Sequence, residues 1–108
     1  MKLVELVRYL NETEKLHKLY QDLDLNNQSE ALLIHLKDTL DLESEISIFT
    51  IEETEDDIVF VKGGVKYIQL FPLDYAIELI ESDLDMKNKG YSDLKVAQRL
   101  LEYRKKDA

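Results

Sequence analysis

The sequence contains no cysteine, only one proline and only three glycines in 108 residues. Without cysteine the chain has no disulfide framework, no thiolate nucleophile and no thiolate metal site. So little proline and glycine, with 44% hydrophobic and 34% charged residues, is typical of an ordered, helix-rich chain rather than a disordered one. We therefore expect a single domain over residues 1–108 with one core.

Long apolar runs are also missing. No run approaches the roughly 18 apolar residues that a membrane-spanning helix needs. The N-terminal stretch carries Glu5 and Arg8 inside its apolar pattern and has no small-residue cleavage site, so we expect no secretory signal. These features predict a cytoplasmic protein that does not bind membranes.

Negative charge is abundant and unevenly distributed within the formal net charge of −9. Residues 1–44 carry five basic and nine acidic side chains, residues 45–71 two and six, and residues 72–108 seven and eight. Such a field repels nucleic-acid phosphates and favours basic partners, although acidity also serves solubility alone. The charge therefore predicts no nucleic-acid partner, and leaves a basic protein or a second copy of the chain.

Apolar residues recur at helical spacing before and after the middle of the chain. Residues 2–24 are predicted to form one bent helix or two short ones. A second helical region is predicted over residues 28–42, since Asn27 and Glu30 have capping spacing. A strand from Ala31 to Leu36 is the alternative, but the charges just after it fit a strand poorly. Two C-terminal helices are predicted over residues 73–85 and 92–105.

The pattern changes to an extended one between these helical regions. Strands are predicted at about 45–52, 57–63 and 65–71, as a three-stranded antiparallel meander. Gly63-Gly64 is typical of a two-residue hairpin turn, because glycine accepts the positive φ angles of such turns. The predicted fold class is α+β, with this sheet packed against the N-terminal and C-terminal helices.

Both faces of the predicted sheet are apolar. Helices account for one face, so the other needs a further helix, a second subunit or a partner to cover it. The residues that indicate two covered faces are Ile46, Ile48, Phe49, Ile51, Ile58 and Phe60.

Catalytic and cofactor motifs are not found in the sequence. His17 and His35 have no metal-ligand spacing with carboxylates, so each is interpreted as a structural or solvent-facing imidazole. There is no nucleophile elbow and no glycine-rich phosphate cradle. We therefore predict a protein without metal or cofactor that is not an enzyme.

The acidic connection between the first two predicted strands is the candidate binding site. It holds five carboxylates, on Glu52, Glu53, Glu55, Asp56 and Asp57. They favour docking of Lys and Arg side chains on a partner; a solvated hairpin tip and a weak cation site are the alternatives. Four tyrosines are candidate interface anchors, although such residues more often belong to a core: Tyr67, Tyr75, Tyr91 and Tyr103.

These features lead to three functional hypotheses. The first is a non-enzymatic binding protein for a basic partner, such as an inhibitor, an immunity protein or a secretion chaperone. The second is a homodimeric structural or assembly domain that buries the spare sheet face. The third is an enzyme that uses carboxylates alone, with Asp56, Asp57, Asp83 or Asp85 as general acid and base.

Overall fold

The computed structural model describes residues 1–25, 31–83 and 89–107, and its elements confirm the predicted α+β class. The helix Leu73–Glu78 continues directly into a π-helical turn at Leu79–Asp83. In chain order the elements are α1 (Leu3–Leu10), α2 (Thr13–Asp22), β1 (Leu32–Lys37), β2 (Ile46–Thr50), α3 (Ile51–Thr54), β3 (Val59–Lys62), β4 (Val65–Pro72), α4 (Leu73–Glu78) and α5 (Asp93–Asp107). None of the helices in these ranges is long and apolar enough to cross a membrane.

The sheet has four antiparallel strands in the order β2-β1-β4-β3. Strands β3 and β4 form a hairpin in which Lys62 pairs with Val65 across Gly63 and Gly64. The two glycines have φ angles of 58° and 78°, as a primed two-residue turn requires. This hairpin confirms the turn predicted from the sequence.

The helix predicted over residues 28–42 is wrong, because Leu32–Lys37 is the strand β1. Its proposed capping residues, Asn27 and Glu30, lie outside the described residues. All five residues from Leu32 to Leu36 are buried, since β1 lies inside the sheet and packs on both of its faces. A strand buried on both faces has a continuous run of apolar residues, and such a run also matches the spacing expected of a helix.

The predicted three-stranded meander is also wrong. Strand β2 pairs with β1 and not with β3, and the two strands that flank the acidic connection lie at opposite edges of the sheet. The connection therefore spans the sheet instead of forming a hairpin tip. Strand pairing depends on residues far apart in sequence, so turn composition alone did not predict it.

The helical regions at the two ends of the chain follow the predictions more closely. The first region is two helices, α1 and α2, separated at Asn11 and Glu12. The predicted helix 73–85 corresponds over residues 73–83 to α4 and the π-helical turn, and its last two residues lie outside the described ones. The predicted helix 92–105 corresponds to α5. Ser92 caps α5, since its Oγ accepts a hydrogen bond from the Lys95 amide at 3.2 Å.

The helices pack on one face of the sheet, here called the helix face. Alternation along β1 places Leu32, Ile34 and Leu36 on this face, and all three belong to the main buried cluster. The pairing of β1 with β4 shifts register between Ile34 and His35. This bulge leaves both Leu70 and Phe71 of β4 in the same buried cluster. Helical members of that cluster include Leu3, Leu6, Val7, Leu10, Leu73, Ala76, Val96, Ala97 and Leu100.

Helix α5 offers a matched test of this packing. Leu100→Ala removes a fully buried side chain, so we expect a loss of about 2–5 kcal/mol in the free energy of unfolding from lost burial and the cavity left. Leu94→Ala is the same change on the same helix at a site that is 49% exposed, and should cost less than about 1 kcal/mol. Urea denaturation compares the two variants. Equal losses of stability would contradict the assignment of Leu100 to the core and of Leu94 to the surface.

Candidate functional site

The sheet face opposite the helices, here called the second face, is aromatic and polar. Residues paired across neighbouring strands point to the same side. Leu33 pairs with Phe49, His35 with both Ser47 and Gln69, and Phe60 with Tyr67. Leu33 and His35 are buried yet stand outside the helix-face cluster, as the alternation along β1 requires. The second face therefore includes Leu33, His35, Ser47, Phe49, Phe60, Tyr67 and Gln69. Lys37, which pairs with Tyr67, and Lys62, two residues after Phe60, lie on the same face.

Phe49 lies at the centre of this face. Its ring centroid is 5.0 Å from that of Tyr67, 5.1 Å from that of Phe60 and 5.2 Å from that of His35. All three contacts are edge-to-face, the arrangement that the aromatic quadrupole favours. The rings of Phe49, Phe60 and Tyr67 are half-buried, so they cover His35 and also present apolar surface to the outside.

His35 is completely buried beneath these rings. Its Nδ1 lies 3.2 Å from the carbonyl oxygen of Leu33. A carbonyl only accepts, so Nδ1 carries the proton and Nε2 of the neutral ring is an acceptor. Nε2 has no hydrogen-bond partner within the described part of the protein. Burial lowers the pKa of His35, and the bond to Leu33 opposes this only in part.

Gln69 lies opposite His35 and joins the second face to the acidic connection. Its Nε2 donates a hydrogen bond to Oδ1 of Asp56 at 3.4 Å. Its Oε1, like Nε2 of His35, is buried without a partner among the residues that the structure describes. Sequence reasoning missed Gln69 and assigned no role in binding to His35. The available signal was that each interrupts an apolar strand with a polar side chain.

The acidic connection begins as the helical turn α3. Oγ1 of Thr50 caps this turn by accepting from the Glu53 amide at 3.2 Å. Thr54 is buried, and its Oγ1 accepts from the Asp56 amide at 3.3 Å. Glu55 and Asp56 then adopt left-handed backbone with φ angles of 54° and 61°. Left-handed backbone is unfavourable for residues other than glycine. The buried Thr54 and its hydrogen bond stabilise this conformation at Glu55 and Asp56.

All five predicted binding residues are exposed in this connection. Asp56 contacts Gln69, and the carboxylate of Glu53 pairs with the Lys62 ammonium at 2.6 Å. The same ammonium lies 5.5 Å from the centroid of Phe49. Glu53 and Asp56 are therefore brought to the border of the second face, while Glu52, Glu55 and Asp57 flank them in sequence.

The four carboxylates proposed for catalysis are not all described. Asp56 and Asp57 are exposed, Asp83 ends the π-helical turn, and Asp85 lies outside the described residues. Across residues 1–25, 31–83 and 89–107, no three His, Asp or Glu side chains are grouped so that they could hold a metal ion.

Other depressions on the surface are shallow and lie elsewhere. One of about 400 Å³ is lined by Asp41, Leu42, Gln98, Leu101, Glu102 and Lys105. Another, of about 250 Å³, lies between α2 and α4, where burial and the charge of Asp74 raise the pKa of Tyr20. The candidate tyrosines divide among regions: Tyr67 lies on the second face, whereas the hydroxyls of Tyr75 and Tyr103 hydrogen-bond each other at 3.1 Å.

Comparison of the chain with protein-family models, with curated protein sequences and with solved structures gives no match in any of the three.

Burial of His35 predicts a loss of stability in mild acid. Its folded-state pKa lies below the unfolded value of about 6.5, so the unfolded chain binds the proton first. The free energy of unfolding should therefore decrease as the pH falls below about 6.5 and level off below the folded-state pKa. Urea denaturation between about pH 7.5 and pH 5 measures this dependence.

Substitution of each histidine separates this effect from other titrations. His35→Gln should flatten the dependence in that pH range, because it removes the buried imidazole. His17→Gln replaces an exposed imidazole on α2 and should leave the pH dependence of the free energy of unfolding unchanged. Identical pH profiles for the wild type and the His35→Gln variant would show that His35 does not carry the effect.

Proposed function

We propose that this protein is a non-enzymatic binding protein that captures a basic protein partner on its second face, as inhibitors, immunity proteins and secretion chaperones do. The observation that supports this most directly is the position of Lys62. Its ammonium lies between the carboxylate of Glu53 at 2.6 Å and the ring of Phe49 at 5.5 Å. A cation is thus bound by a charge and an aromatic ring together, within the chain itself.

A partner's Lys and Arg side chains fit the same combination of groups. Half-buried rings of Phe49, Phe60 and Tyr67 offer apolar area and cation–π contacts, which suit Arg in particular. Lys62 already pairs with Glu53, and the exposed carboxylates of Glu55 and Asp57 add negative charge that Lys62 does not neutralise. Aromatic anchors with charge at the rim are typical of protein interfaces, where the anchors contribute most of the affinity and the charge steers association.

Charge also separates this proposal from a homodimer formed through the second face. Two copies packed face to face would bring two acidic connections together, each with five carboxylates. Like charges opposed across an interface are unfavourable, whereas the same negative charge attracts a basic partner. The proposed setting is the cytoplasm, where a chain without cysteine needs no oxidative folding.

Reversal of two rim charges tests the electrostatic part of the proposal. Glu52→Lys with Glu55→Lys changes the charge by +4 and leaves the Glu53–Lys62 and Asp56–Gln69 contacts in place. For a partner captured from the native cell and then purified, we expect the association rate to fall about tenfold at low salt. The salt dependence of that rate should become shallower, because less charge attracts the partner.

The control is an equal charge change away from the second face. Glu14→Lys with Glu78→Lys alters exposed residues of α2 and α4 by the same +4. It should change the association rate by less than about threefold, through net charge alone. If both double variants slow association equally, the acidic connection has no local role. A captured partner that binds both as fast as the wild type would exclude charge steering altogether.

A further inference from the structure

Lys62 holds a position between a carboxylate and an aromatic ring that its side chain can leave at little cost. It is the last residue of β3, and its ammonium contacts the carboxylate of Glu53 at 2.6 Å and lies 5.5 Å from the ring centroid of Phe49. The side chain of Lys62 is 57% exposed. An exposed lysine–carboxylate pair contributes little to stability, because water screens the charges and the long side chain loses freedom. The fold therefore does not depend on this contact.

The carboxylate side of this contact is held by the backbone of the acidic connection. Glu53 lies in the helical turn α3, where its amide donates to Oγ1 of Thr50 at 3.2 Å. The amide of Glu55 closes the turn by donating to the carbonyl of Ile51 at 2.8 Å. None of these hydrogen bonds involves Lys62, so Glu53 keeps its place on the border of the second face when the ammonium is removed.

The aromatic side is held independently of Lys62 as well. The ring of Phe49 makes edge-to-face contacts with the rings of His35, Phe60 and Tyr67. These contacts fix its orientation and leave it half-buried, with part of the ring open to the outside. A carboxylate and a ring that are both fixed in advance form a site that can receive another cation.

We infer that the carboxylate of Glu53 and the ring of Phe49 form the site for one arginine side chain of the basic partner, and that Lys62 occupies this site in the free protein as an internal competitor. This assignment builds on the proposed capture of a basic partner, since it names the partner side chain that the second face receives. Binding of the arginine returns the ammonium of Lys62 to water. Lys62 thus lowers the affinity for cations and favours partners whose arginine can displace it.

Arginine fits this site better than lysine does. Its planar guanidinium stacks on an aromatic ring while its N–H groups donate to a carboxylate in the same plane, and it is more weakly hydrated than an ammonium. The side chain of Glu53 is only 38% exposed, so a partner that covers it excludes water and strengthens the charge–charge contact. The exposed carboxylates of Glu55 and Asp57 attract the incoming cation, because Lys62 does not neutralise them.

Removal of the internal competitor tests the inference. Lys62→Gln takes away the ammonium, and fluorescence anisotropy of a labelled hexaarginine peptide at low salt measures the affinity. We expect this variant to bind the peptide about threefold more tightly than the wild type, because the peptide no longer displaces an exposed ion pair. Lys66→Gln makes the same change of net charge on the opposite side of the sheet, since Lys66 is exposed and pairs with Val61. It should change the affinity by less than about 1.5-fold.

Glu53→Gln shows whether the gain in affinity comes through this site. Without the carboxylate there is no ion pair for the peptide to displace, so Lys62→Gln added to Glu53→Gln should change the affinity no more than Lys66→Gln does. A gain that persists in the Glu53→Gln background would overturn the inference. A hexalysine peptide tests the choice of arginine, and should bind the Lys62→Gln variant at least about threefold more weakly than hexaarginine. Equal binding of the two peptides would overturn the assignment to arginine.

The outcomes separate this inference from the proposed function. If the Lys62→Gln variant binds hexaarginine no more tightly than the Lys66→Gln variant does, Lys62 is not a competitor, while binding of the peptide by the wild type still supports capture of a basic partner. If neither the wild type nor the Lys62→Gln variant binds hexaarginine, both the inference and the proposed function are overturned.

Discussion

Burial of β1 on both of its sides sets the positions of the helices, the aromatic rings and the acidic connection. Leu32 to Leu36 are all buried, with β2 on one flank and β4 on the other. Ile34 and Leu36 join the helix-face core, whereas Leu33 and His35 need cover on the second face. The helices meet the first need. The rings of Phe49 and Phe60, which contact the His35 ring, meet the second.

Placing β1 and β4 at the centre also sends the chain across the sheet after β2. The connection from Thr50 to Val59 must pass from one edge to the other, and this brings its carboxylates to Gln69 and Lys62. Charge and aromatic surface are therefore adjacent because of strand order and not because of sequence proximity. The same order leaves β3 at an edge with Val59 and Val61 exposed.

Much of the candidate site was visible in the sequence as separate parts. The five carboxylates stood out by composition, and Phe49 and Phe60 marked a second apolar face. Their juxtaposition was not visible, because a three-stranded meander places the carboxylates at a remote hairpin tip. Gln69 was missed for the same reason: a single glutamine in a strand has no significance until its cross-strand neighbour is known to be His35.

Sequence alone predicts the α+β class, the helices at both ends of the chain, and the Gly63-Gly64 turn. Each of these depends on residues within a few positions of one another, so periodicity and turn chemistry suffice. By contrast, tertiary contacts establish that Leu32–Lys37 is a strand and that β2 and β3 lie apart. The run LLIHLK fits a helix or a buried strand equally well, and burial against neighbours distant in sequence decides between them.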